Sequence, residues 1–243
     1  QEGNIEKNCA HIEELVRKHS SDDIDLLCFP ELCISGYNFE KAIISDREAL
    51  FFSELASKYK IAIMAGINKK EGNQHYDVAC IWDETGTLLG EYKKIHLWDK
   101  ENDFFAKGEE LVTVSFKGWT IGLLICADFG FSELAKSLAL KKNADVIMYP
   151  SAWNPGWDYL FSGCSSIRAA ENQVYTVGLN RASGDVEYCG NTTVSNPDGT
   201  TLARLCTSEE SYTRVVLKKE CLEKAKETIP WRLMRREEVY NKI

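Results

Sequence analysis

The chain has 243 residues, 44% of them hydrophobic, with 29 Lys and Arg against 37 Asp and Glu and a formal net charge of −8. That length and apolar content suffice for one substantial core, and the acidic balance argues against binding to a nucleic-acid backbone, which needs clustered cations. No apolar run approaches the roughly 20 residues of a membrane-spanning helix, and Gln1-Glu2-Gly3-Asn4 is not a basic, apolar leader.

Nine cysteines, an odd number without a CxxC pair, fit reduced thiols in a cytoplasmic compartment better than a disulfide framework. The histidines His11, His19, His75 and His96 lack ligand spacing among themselves or with cysteines, so no metal site is expected.

In chain order, residues 4–19 place Ile5, Cys9, Ile12 and Val16 on one face of an amphipathic helix. Ile24–Phe29 reads as a buried strand ended by Pro30, with Glu31 directly after it. Flanked by apolar residues in FPELCISGY, Glu31 is either a cap for the next segment or a functional carboxylate. Asp46–Lys58 is a second helix and Lys60–Ile67 a strand. His75–Trp82 and Thr87–Tyr92 flank Asp83-Glu-Thr-Gly86 as a hairpin. The second arm runs into Lys93-Lys94-Ile95-His96, where Lys94 is either a solvated lysine or a site cation. His96 reads as structural.

Glu101–Gly108 reads as an irregular loop carrying aromatics. Leu111–Phe116 and Trp119–Ile125 form another hairpin around Lys117-Gly118. The second arm stops at Cys126-Ala127-Asp128, a helical pattern runs from Phe131 to Lys141, and Asp145–Tyr149 is a strand ended by Pro150. This βαβ unit places Cys126 at the carboxyl end of a buried strand, where α/β proteins carry reactive groups. A nearby helix N-terminus would lower the thiol pKa; the bland alternative is a small buried apolar residue. Trp157–Asn172 is a helix and Gln173–Asn180 a strand. Glu187–Val194 and Thr200–Leu205 flank the turn Asn196-Pro-Asp-Gly199. Tyr212–Leu217 is a last strand and Glu220–Glu227 a short helix, followed by an irregular tail. With no internal linker or low-complexity tract, residues 1–243 read as one domain. Helices alternate with strands early and late, hairpins fill the middle, and the pattern points to a layered α/β fold with mixed sheets.

Three strand ends thus present a carboxylate, an amine and a thiol. Acyl transfer by a thiol needs a base, a cation or N–H donors for the oxyanion, and a proton source for the leaving amine. A carboxylate can supply the first and third, and a buried lysine the second.

Phe29-Pro30-Glu31-Leu32 with Gly36-Tyr37, Tyr92-Lys93-Lys94-Ile95-His96-Leu97 and Gly122 through Asp128 follow one another in this order. Arg168-Ala-Ala-Glu171-Asn172, Asn180 and Pro197-Asp-Gly199 come after them. Across nearly the whole chain this set resembles the nitrilase, or carbon–nitrogen hydrolase, superfamily. The resemblance implies a four-layer αββα sandwich of two mixed sheets and pairing with a second copy as a homodimer. It implies Glu31 as general base, Lys94 as oxyanion cation and Cys126 as nucleophile, with the backbone N–H of Ala127 on the oxyanion. Glu101 matches the family's second glutamate, which would hold Lys94 in place and keep it charged. No metal or organic cofactor is implied.

The implied reaction is hydrolysis of a small linear amide through a cysteine thioester. N-carbamoyl hydrolysis on the same scaffold is the alternative, and a catalytically silent dimeric interaction protein the alternative of another class. The tail Ile229-Pro230-Trp231 with Arg235-Arg236 and Tyr240 resembles the ω-amidase and small-amidase branch, and Tyr37, Phe104 and Trp153 are candidate pocket walls. Two departures from the family pattern stand out. Ala127 and Phe131-Ser132-Glu133 replace an aromatic and a Phe-Pro-Glu, putting a smaller side chain beside the sulfur. The family's first strand has no counterpart before Gly3-Asn4, so the first sheet is expected to be one strand short or the sequence to begin downstream of the natural start.

Overall fold

The computed structural model describes residues 1–39 and 47–240. Two sheets face each other with helices outside both. The first sheet has the order β1-β2-β3-β4, with β1 Leu26–Cys28, β2 Ala62–Glu71, β3 Gln74–Trp82 and β4 Leu88–Lys93. Only β1 and β2 are parallel in it. The second has the order β10-β9-β8-β7-β6-β5. Its strands are β5 Val112–Phe116, β6 Trp119–Leu123, β7 Val146–Ser151, β8 Tyr175–Asn180, β9 Thr193–Ser195 and β10 Thr201–Arg204. Its centre, β6-β7-β8, is parallel and its margins antiparallel. Both sheets are therefore mixed, and the architecture is the αββα sandwich.

Period-two alternation in β2 shows why the layers form. Ile63, Ala65 and Ile67 pack with Ile12 and Val16 of α1 (Ile5–His19) and Phe52 and Leu55 of α2 (Arg47–Tyr59). Ala62 and Met64 point the other way, into a core shared with Ile121, Leu123 and Ile147 of the second sheet. The same core extends to Leu138 of α4 (Ser132–Lys141) and Phe161 of α5 (Asp158–Asn172). The crossovers β6-α4-β7 and β7-α5-β8 are the units that make the second sheet parallel at its centre. Asp46, the first residue of the expected second helix, lies outside the described residues.

Three expected elements differ. Glu101–Gly108 is not wholly irregular: it opens with a one-turn helix, α3, Glu101–Phe104. The tail after α6 (Lys219–Thr228) carries a second short helix, α7, Glu237–Tyr240. Tyr212–Leu217 joins no sheet among the described residues. A strand needs a neighbour, and the first sheet ends at β1. A cavity of about 1100 Å³ runs along that edge, lined by Leu26, Cys28, Ile121, Met148, Val215 and Leu217. Among the described residues, no helix is long and apolar enough to cross a membrane.

Candidate active site

Glu31 is held by backbone contacts that continue past the end of β1. Phe29 N–H donates to Met64 O at 2.8 Å, Gly66 N–H to Pro30 O at 3.2 Å and Cys33 N–H to Gly66 O at 3.0 Å. A Cβ on Gly66 would lie 2.5 Å from the Glu31 Cα, so only glycine lets β2 approach this closely. Arg181 adds a guanidinium bond to Leu32 O at 3.2 Å.

Lys94 follows β4. Its N–H donates to Asp77 O at 2.9 Å, and its carbonyl accepts from Gly108 N–H at 2.8 Å. A side chain on Gly108 would strike the Lys93 carbonyl oxygen. Glu101 begins α3, where one carboxylate oxygen accepts from Trp98 N–H at 2.8 Å. Cys126 opens a 3-10 turn, Cys126–Gly130, with the left-handed φ of 46° that a non-glycine residue rarely takes.

These elements bring three carboxylates around one amine. Lys94 Nζ lies 2.6 Å from Glu31 Oε1, 2.8 Å from Glu101 Oε1 and 3.3 Å from Asp77 Oδ2. Glu31, Asp77 and Lys94 are 0% exposed, Glu101 3% and Cys126 8%, so these interactions work in a low dielectric. Burial alone would strip the proton from Lys94. The opposing charge of Glu31 above all, with that of Glu101, more than reverses this and holds the ammonium well above the ordinary lysine range.

The Cys126 thiol is pushed up, not down as a helix N-terminus would push it. Burial is the main cause and Glu31 adds to it, while Lys94 opposes it and a hydrogen bond from the Ala152 backbone favours the thiolate. The reason lies in placement. Helix α4 starts only at Ser132, beyond the 3-10 turn, so its N-terminal dipole is not spent on the sulfur. Such a thiol does not ionise by itself near neutrality; it needs a base.

The four expected machinery residues, Glu31, Lys94, Glu101 and Cys126, therefore gather at one place, and Ala127 follows the sulfur within the same turn. Tyr37 faces the cluster: burial and then the charge of Glu31 raise its phenol well above the usual value. Phe104 stacks on Phe39 at 4.9 Å and lies 4.9 Å from the His75 ring, an aromatic group at the end of α3. Trp153 adjoins Ala152, its backbone N–H donating to Asn180 Oδ1 at 2.7 Å and its ring packing 5.4 Å from Phe161.

Two buried acids escape a reading of the sequence alone. Asp77 lies in the middle of β3, and its one signal there is an acid inside a strand whose other central positions are apolar. Asp128 is a structural hub. It accepts from Tyr92 OH at 2.7 Å, Ile125 N–H at 3.0 Å and His96 Nδ1 at 2.8 Å. His96, read as structural, is so placed, stacked 3.5 Å from the Phe131 ring.

The family model described as carbon–nitrogen hydrolase matches residues 1–224. A nitrilase of Pyrococcus abyssi is 32% identical over 217 residues, covering 84% of this chain and 81% of that one. Omega-amidase NIT3 of Saccharomyces cerevisiae is 27% identical over 269 residues, covering 99% and 90%. Among solved structures, an amidase from Nesterenkonia sp. AN1, caught after Michael addition of acrylamide at its active-site cysteine, has a TM-score of 0.86 at 24% identity. It covers 100% of this chain and 95% of that one. With nearly the whole of its length matched and the fold shared, the chain belongs to the carbon–nitrogen hydrolase family, within the nitrilase superfamily.

Proposed function

We propose that this protein hydrolyses the C–N bond of a small linear amide through a Cys126 thioester, releasing ammonia and a carboxylic acid. The observation that carries this reading is the clamp on Lys94, whose Nζ is fixed by Glu31 at 2.6 Å and Glu101 at 2.8 Å in the same buried space as the Cys126 thiol. Glu31 takes the thiol proton, and the sulfur attacks the amide carbon. Lys94 and the Ala127 N–H receive the oxyanion, and Glu31 passes its proton to the departing ammonia. Water, deprotonated by the same carboxylate, then attacks the thioester and frees the acid. One base serves both halves because the proton taken in the first is delivered before the second begins. Glu101 keeps the ammonium aimed and charged. Tyr37, Phe104 and Trp153 form the walls on the substrate side, and the protein acts in the cytoplasm as a homodimer. Omega-amidase NIT3 of yeast, similar over almost all of this chain, favours ω-amides as the first substrates to try.

The test is a panel of ω-amides, simple aliphatic amides, N-carbamoyl compounds and nitriles, with ammonia and carbon dioxide both measured. Ammonia without carbon dioxide from an amide supports the reading. Equimolar carbon dioxide assigns the scaffold to carbamoyl hydrolysis instead. Silence across the panel, with Cys126 no more reactive than the other cysteines, leaves an interaction protein.

A further inference from the structure

Asp77 has no role in that reaction, yet it is buried as completely as Glu31 and Lys94. Glu31, Asp77 and Glu101 offer three carboxylates to one ammonium. With all three ionised and the thiol neutral, the cluster would hold two uncompensated negative charges out of contact with water, which a low-dielectric interior strongly disfavours.

The hydrogen-bond geometry localises the difficulty. An ammonium has three donors. Two of those on Lys94 are taken by Glu31 and Glu101, and Asp77 Oδ2 stands off at 3.3 Å, an ion pair without hydrogen-bond alignment. Glu31 Oε2 and both Asp77 oxygens are buried and find no hydrogen-bond partner among the described residues. One carboxylate oxygen from each of Glu31, Asp77 and Glu101 lies within 4.8 Å of the other two. A cation already sits among them, the Lys94 ammonium. What the two orphaned carboxylates lack is a single proton between them.

We propose that Asp77 is held as the neutral acid and donates its proton to Oε2 of Glu31, making Asp77 a positioning residue for the base. Burial, reinforced by the Glu31 charge and opposed by Lys94, holds the Asp77 carboxyl well above the usual carboxylate range. Glu31 is then fixed from both ends, Oε1 on Lys94 and Oε2 on Asp77. Each carboxylate oxygen has two lone pairs, so Oε2 keeps one free to take the thiol proton. Asp77 retains its own proton throughout, and the net negative charge of the resting cluster falls from two to one.

The inference rests on the amidase reading only for the role it gives Glu31, and its test reads the thiol directly. Iodoacetamide alkylation of Cys126 is followed by peptide mass against pH in the wild type, Asp77→Ala and Asp77→Asn. The acidic limb reports the base that accepts the thiol proton. The groups facing Glu31 are Lys94 after β4, Asp77 on β3, Glu101 on α3, Cys126 after β6, Tyr37 from its own segment and Tyr188 before β9.

Losing a neutral donor raises the affinity of Glu31 for a proton, so Asp77→Ala should move the limb up by about one pH unit. Asp77→Asn, which restores a neutral N–H donor, should bring it back. An infrared difference between wild type and Asp77→Asn should show a protonated carboxyl stretch at neutral pH. If Asp77 is instead an anion, both variants lower the limb and the stretch is missing; either result, or a limb unmoved in Asp77→Ala, overturns the proposal. Should Asp77→Ala fail to fold, Asp77→Asn and the infrared band decide. If no amide is cleaved while the alkylation limbs shift as stated, the amidase reading fails and this one stands. If amides are cleaved and the limbs do not shift, the reverse holds.

Discussion

The Tyr92 hydroxyl donates to Asp128 Oδ2 at 2.7 Å, tying β4, which leads to Lys94, to the turn that holds Cys126. The same oxygen accepts Ile125 N–H at 3.0 Å, and Oδ1 accepts His96 N–H at 3.2 Å. One buried carboxylate thus fixes the ammonium and the sulfur relative to each other. Tyr92→Phe should cost about 1.5–3 kcal/mol, because a buried anion loses a donor that water cannot replace. Turnover should fall by about tenfold or more with little change in KM. Denaturant unfolding and steady-state kinetics check both effects.

Cys126 has a thiol that burial and Glu31 push up, so its reactivity comes from the base rather than from a standing thiolate. Cys126→Ala should abolish turnover by about a thousandfold or more while leaving far-ultraviolet circular dichroism unchanged. In the wild type, iodoacetamide should label Cys126 first among the nine cysteines, with activity lost in step. In Glu31→Gln that preference should disappear. Labelling of Cys126 no faster than of the other cysteines would remove the activated thiol from the account.

A buried acid outside the active-site cluster sets a pH dependence of stability. Glu48 is 3% exposed, and its Oε2 accepts Asn68 N–H at 3.0 Å. Burial pushes its carboxyl up to about 8, against partial relief from the Asn68 N–H. A carboxyl whose folded pKa exceeds its unfolded value of about 4.3 binds more protons in the folded state. Stability therefore falls as pH rises from about 4.3 to about 8 and levels off above that. Glu48→Gln should flatten the curve and gain on the order of 2 kcal/mol at pH 8. Urea midpoints of the two proteins at several pH values decide it. Identical slopes would mean that Glu48 is ionised in the fold.

The outer face of α5 carries apolar side chains that the fold does not cover. Leu160 is 38% and Ile167 47% exposed, seven residues apart on one helix face, with Tyr159 beside them at 71%. We expect a second copy of the chain to cover this face. Ile167→Glu should shift a dimer to a monomer in light scattering coupled to size exclusion, without altering the secondary structure. A wild type that elutes as a monomer at micromolar concentration would refute this placement.

Local pattern alone settles most of the elements and the chemistry at their ends. Alternation in β2 and the 3.6-residue stripes of α1 and α2 mark which faces are buried, because burial periodicity is a local property. Pro30 after β1 and the Lys117-Gly118 turn mark where strands stop and start, and so name Glu31 and Cys126 as strand-end residues. What a linear pattern cannot carry is distance between segments. Asp77 looks like one more residue of a hairpin arm, and only pairing β3 with both β2 and β4 sets it beside Lys94. The direction of the Cys126 shift is also decided in three dimensions. It depends on how deeply the sulfur is buried and how close Glu31 lies, not on the helix that comes next in the chain. Tyr212–Leu217 has the composition of a strand. A ladder, however, needs a partner edge, and only the packed sheets decide where edges are.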